Sequence, residues 1–284
     1  MEMYTDSIVV TSSRDTGKLL HTIVNQLPRP YTSVKNRLGL RSLTMPYSWF
    51  NVTTAFGNTE GLSYSWPDSP EGVYNVPFPP GNYGVDEING FLQEKMRSNG
   101  HFLVDADGAH VYFLKLNVNQ VYYAVTVTST PIPSALPAGW KNPSAVVLSG
   151  KAPQLIVHPA PNTFGQLIGY DPGTYPPSLT TVMTSFNGQQ PPQISGVVAV
   201  NVTCNWVYES KFSSYPSLLA TFTPETDFGS TLSYEPSTLI TLPVTDYQYS
   251  EIELGFFDQD FRPLEMKDRQ HILCNLLLER PSQI

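Results

Sequence analysis

Pro80–Gly100 is the one stretch that reads convincingly as a helix, in a 284-residue chain otherwise written for strands. Val85, Ile88, Leu92 and Met96 recur at steps of three and four, and Phe91 widens the stripe, which sets apolar side chains on one helical face. Asp86 and Glu87 occupy the first turn, Lys95 and Arg97 the last, and Gly100 is placed to end it. Gly90 weakens the middle by about 1 kcal/mol relative to alanine. Because so short a helix is marginal alone, it is expected to dock its stripe on a sheet and cover one end of it.

Elsewhere the period is close to two. Ser195–Ser210 is the strongest strand, with Val198, Val200, Val202, Cys204 and Trp206 on one face and Ala199, Asn201, Thr203 and Asn205 on the other. Further strands are expected in Ser7–Ser13, Leu38–Thr53, Leu62–Trp66, Val73–Pro79, Asn119–Thr130, Ser237–Pro243, Glu251–Asp258 and Arg269–Glu279. Thr16–Leu27 suits strand or helix, and Pro28 and Pro30 interrupt the chain just beyond it. Nearly half of the 26 prolines fall in residues 131–192, where only Gln154–His158 and Phe164–Tyr170 read as strands, so this region is expected to be long loops. The economical closure is an all-β fold, a single jelly-roll sandwich of eight or more antiparallel strands spanning 1–284, with one short amphipathic helix and a loop-rich insertion at 131–192.

Charge narrows the function classes. Asp, Glu, Lys and Arg make up 14% of the chain, against about 25% in ordinary soluble domains, which suits a surface partly covered by neighbours. A net charge of -8 argues against a nucleic-acid platform. No apolar run approaches the roughly 20 residues of a membrane helix, and polar, acidic Met1–Ser7 carries no secretory signal. Cys204 and Cys274 lie in strand-like apolar surroundings and are expected to be buried free thiols in a reducing compartment.

No catalytic, cofactor-binding or metal-binding residue is assigned. Asp105, Asp107 and Gly108 resemble the start of a calcium loop, but Ala109 stands at the third ligand position, and Asp-Gly favours a hairpin turn. Asp258 and Asp260 are better read as turn formers than as an acid–base pair. His21, His101, His110, His158 and His271 show no zinc-like spacing. Asn51-Val-Thr53 and Asn201-Val-Thr203 fit the glycosylation sequon but fall in expected strands. Sixteen tyrosines suit either a core or an interface.

Three passages in order carry a resemblance. Leu40–Asn51 reads LRSLTMPYSWFN, Pro80-Gly81-Asn82-Tyr83 precedes the helix, and VAVNVTCNW is followed by Pro216-Ser217-Leu218-Leu219 and then EIELGFFDQDFRPL. They are similar to the strand–Pro–Trp–Asn passage, the G-x-Y turn before a helix, and the terminal strand, Leu-Leu and D-x-x-P-L set of the penton, or minor capsid, proteins of Maverick/Polinton elements, adintoviruses and virophages. The resemblance runs from about Leu38 to Leu264, and 131–192 has no counterpart in it. It implies a structural virion protein, not an enzyme. The expected partners are itself, as a homopentamer at the fivefold vertices of an icosahedral capsid, and trimers of a double-jelly-roll major capsid protein. Its expected place is the capsid, after assembly in an infected cell. Two fused jelly rolls would need more than 284 residues, which disfavours a major capsid protein. The residues alone leave open a carbohydrate-binding jelly roll with ligand loops at 131–192, used in host recognition, and a cupin-like metalloenzyme.

Overall fold

The computed structural model describes residues 3–69, 71–194, 196–208 and 217–281. Alternating residues near the start form three strands, β1 (Met3–Thr11), β2 (Thr22–Thr32) and β3 (Arg37–Pro46). The next segment holds β4 (Leu62–Ser65), β5 (Val73–Val76), α1 (Val85–Ser98), β6 (Leu103–Val104), β7 (His110–Val111), β8 (Leu114–Asn119) and β9 (Ala124–Ser129). It continues with β10 (Gln154–Val157), α2 (Phe164–Ile168), β11 (Gly173–Tyr175) and β12 (Thr184–Asn187). The chain closes with β13 (Val200–Cys204), β14 (Leu218–Phe222), β15 (Thr231–Tyr234), β16 (Leu242–Pro243), β17 (Gln248–Phe257) and β18 (Leu273–Pro281).

Contacts divide these elements into two units, where the sequence leads one to expect a single domain. The first comprises the residues up to Trp49 and from Val197 onward, and the second is Phe50–Gly196. In the first unit one sheet runs β1-β18-β3-β15, with β16 also on β3, and the other runs β14-β13-β17-β2. Numbered consecutively without β16, the eight strands read 1-8-3-6 and 2-7-4-5, which is the strand order of a jelly roll. Leu38, Leu43, Met45, Val200, Val202, Trp206, Phe256 and Leu276 fill the space between the sheets. Trp206 Nε1 donates to the Glu251 carbonyl at 2.9 Å, so the indole is buried without an orphaned donor.

Two strands depart from expectation. β2 runs through Pro28 and Pro30, because it is an edge strand and its pairing with β17 slips register between Gln26 and Tyr31, where no ladder N–H is required. β13 is shorter than Ser195–Ser210, and Val198 is exposed before it rather than on the core face.

The second unit has its own core. In helix α1, Val85, Ile88, Leu92 and Met96 are buried as the spacing predicts, against β8 and neighbours within the second unit. Asn89 Oδ1 accepts from the Leu116 N–H at 2.9 Å, so the helix satisfies an N–H of the edge strand β8. Residues 131–192 are mostly loops, as expected, with β10, α2, β11 and β12 among them. Ile132, Leu155, Val157, Phe164, Ile168 and Tyr170 are all buried in this core, and Phe164–Ile168 is a short helix rather than a strand. The insertion in the jelly roll is therefore the whole of 50–196, placed between β3 and β13.

Two features let a proline-rich chain pack this way. Gly169 ends α2 at φ +76°, and a Cβ there would stand 2.2 Å from the Gln190 carbonyl. The Tyr170 hydroxyl replaces missing ladder bonds: it accepts from the Val127 N–H at 3.0 Å and lies against the carbonyls of Val125, at 2.9 Å, and Phe186.

Candidate interaction surfaces

Several residues that suggested chemistry in the sequence hold turns and backbone groups. Asp105 Oδ1 accepts from the N–H groups of Asp107 and Ala109 at 3.0 and 2.8 Å, and Gly108 sits at φ +87°, so this passage is the hairpin turn between β6 and β7. Asp258 is fully buried. Its Oδ1 accepts from the backbone N–H of Asp260 and Arg262, and its Oδ2 from Arg262 Nε at 2.7 Å, while Arg262 also reaches Asp260 at 2.9 Å. A carboxylate holding three donors fixes the turn after β17.

Both sequon asparagines are buried, with their amide nitrogens occupied. Asn51 Nδ2 donates to the carbonyls of Tyr83 and Ile194 at 2.8 Å, and its Oδ1 accepts from Tyr83 N–H. Asn201 Nδ2 donates to the Asp258 carbonyl at 2.6 Å. The passages that carried the resemblance thus touch in pairs, Trp-Phe-Asn on Gly-Asn-Tyr and Asn-Val-Thr on Asp-Gln-Asp. Of the Leu-Leu passage, Ser217, Leu218 and Leu219 are described, and Pro216 lies outside the described residues, as do Met1, Glu2 and residues 282–284 at the ends. Cys204 and Cys274 are free and buried, and burial pushes the Cys204 thiol up to about 12.

Two polar clusters escaped the sequence reading because their members lie 95 and 37 residues apart and share no spacing. Ser63 Oγ lies 2.6 Å from His158 Nε2, but the serine is fully buried and donates to Asn75 Oδ1 at 2.8 Å. It therefore accepts from His158, the reverse of what a nucleophile awaiting a base requires. His101 stacks on Trp66 at 4.4 Å, meets Tyr74 edge-on, and places Nδ1 2.9 Å from the Tyr64 hydroxyl. Burial in this aromatic cage lowers its pKa to about 4, so it is a neutral structural imidazole at pH 7. Among the described residues no three His, Cys, Asp or Glu side chains gather as a metal site, and no helix is long and apolar enough to cross a membrane.

What remains is surface. The jelly-roll unit has two open edges, each with a cleft between its sheets. One, of about 590 Å³, is lined by Tyr4, Asp6, Tyr31, Val34, Asn36 and Arg280 at β1 and β2. The other, of about 600 Å³, is lined by Phe222, Glu225, Leu232, Tyr234 and Glu235 at β14 and β15. Phe222 stacks on Tyr234 at 4.6 Å, closing the floor of the second cleft. In the other unit the β8–β9 hairpin ends in Val121, Tyr122 and Tyr123, which are 87%, 69% and 73% exposed. The sequence pattern carries a strand through this tip because Val and Tyr favour strands; Tyr123 instead turns the chain at φ +48°.

These features define an all-β protein built on a jelly roll with a folded insertion. Among solved structures, the chain is similar to the mavirus penton protein in its selenomethionine-labelled crystal form, with a TM-score of 0.48 and 10% identity over 98% of each chain. No protein-family model matches the sequence. No curated protein matches it either.

Proposed function

We propose that this protein is a penton subunit that forms a homopentamer at the fivefold vertices of an icosahedral capsid, beside the major capsid protein. The jelly-roll strand order carries the reading, together with the sequence passages resembling penton proteins, which meet one another in the fold. Low charge, two open edges and an exposed aromatic tip suit a subunit whose surface is used for contacts with other chains. Its work is geometric, with copies joined by heterologous contacts that close a ring.

Native mass spectrometry of the purified protein should give a particle of five times the 31.5 kDa subunit mass. A solitary subunit or a two-fold dimer at all concentrations would sink the proposal. A second reading, recognition of neutral glycans, rests on the Tyr122–Tyr123 tip, which neighbours the amides of Asn117, Asn119 and Asn187. Binding on a glycan array that is lost in Tyr122→Ala would favour it.

A further inference from the structure

The two open edges of the jelly-roll unit carry opposite charge. Residues up to Trp49 hold six basic side chains, Arg14, Lys18, Arg29, Lys35, Arg37 and Arg41, against the acids Glu2, Asp6 and Asp15. Asp6 is paired with Arg280 and Asp15 with Arg269, so neither acid neutralises the exposed cations. Arg14, Lys18, Arg29 and Lys35 lie on the β1–β2 edge or its connections; the acids beside them are Asp246, which accepts from the Lys35 backbone N–H, and Glu251 and Glu253 of β17, of which Glu251 accepts from Gln26 Nε2. The β14–β15 edge is the reverse: between Ser217 and Pro243 the only charged residues are Glu225, Asp227 and Glu235, all exposed. None of these three takes part in an ion pair among the described residues.

From this we infer that the β14–β15 edge of one copy docks against the β1–β2 edge of the next, head to tail. The inference rests on the vertex reading above and names the surfaces that close the ring. The charges select the symmetry. A two-fold contact through either edge would set like charges against like, whereas a rotation that brings unlike edges together pairs Glu225 and Glu235 with Arg29 of β2 and Lys35 just beyond it. The edges also need covering. β1 is a nine-residue edge strand, and long bare edges invite uncontrolled association. Pro28 and Pro30 prevent a neighbouring strand from pairing along that part of β2, so the contact there is made by side chains and not by an added strand. Tyr4 and Val34 on one side, and Tyr234 on the other, supply apolar anchors beside the charges.

The test is charge reversal in the full chain, read by native mass spectrometry and sedimentation. Glu225→Lys with Glu235→Lys, or Arg29→Glu with Lys35→Glu, should each weaken ring formation by about tenfold or more. All four substitutions together should restore it, and raising the salt should weaken the wild-type ring. These side chains are exposed, so an unchanged circular dichroism spectrum is expected for every variant. A pentamer that persists in both double variants, or that the fourfold variant fails to restore, overturns the edge assignment and leaves the vertex reading standing. A wild-type chain that never associates overturns both.

Discussion

Asp258 does at the residue scale what a longer stretch of ladder would otherwise do. Its carboxylate gathers two backbone N–H groups and Arg262 Nε, and its backbone carbonyl receives Asn201 Nδ2, which ties β13 to the turn after β17. Asp258→Ala should cost about 3 kcal/mol in denaturant unfolding, because it strands buried donors as well as deleting a pair. Asp258→Asn, which keeps the shape and some acceptors, should cost less; equal losses would show that the hydrogen-bond geometry is not what matters. His101 adds a pH dependence of definite sign. Its pKa is near 4 when folded and 6.5 when unfolded, so between those values the unfolded chain binds the proton first. The Tyr64 hydroxyl, which faces it, is pushed upward by burial and stays neutral throughout this range. Above pH 6.5 the group has no effect. Stability should fall by about 2 kcal/mol as pH drops from 6.5 to 4.5. His101→Gln should start less stable at pH 7 but lose correspondingly less on acidification, which parallel urea titrations at the two pH values would reveal.

Elements were legible in proportion to how local their determinants are. Helix α1 could be read because its stripe, its acidic first turn and its stop at Gly100 all lie within 16 residues of chain, and the buried set is the one the spacing gives. Ile88→Asp should therefore unfold its surroundings, with a loss of about 4 kcal/mol or more, since it places an unpaired charge where the side chain is fully buried. Melting unchanged from wild type would show this face is not covered. The region 131–192 was illegible for the opposite reason. Its order comes from contacts such as the Tyr170 hydroxyl on three backbone groups of β9 and β12, and from the close approach of Gln190 to Gly169, which leave no period in the sequence. The same holds for the surface groups: opposite charge on two edges becomes visible only after strand order places residues 14–35 and 225–235 on different sides of a sandwich.

At the scale of the whole molecule, the chain makes two hydrophobic cores that share no residue, one between the sheets of the jelly roll and one inside 50–196. The jelly roll is assembled from both ends of the chain, since β1 pairs with β18 from Met3↔Pro281 to Thr11↔Leu273, whereas the insertion is continuous in sequence and built from short strands and two helices. Contacts that close a long loop are entropically more expensive to form than those between neighbours. Separate cores with such different connectivity are not expected to melt as one cooperative block. Calorimetry of the full chain should accordingly resolve two transitions, and Ile88→Asp should lower or abolish one while leaving the other within about 2 °C of its wild-type midpoint. The retained transition should be the one that Asp258→Ala lowers, because Asp258 belongs to the jelly-roll unit and Ile88 to the insertion. A single transition shifted equally by both substitutions would mean that the two cores unfold as one, and that the insertion is a structural part of the sandwich rather than a second folded body carried on it.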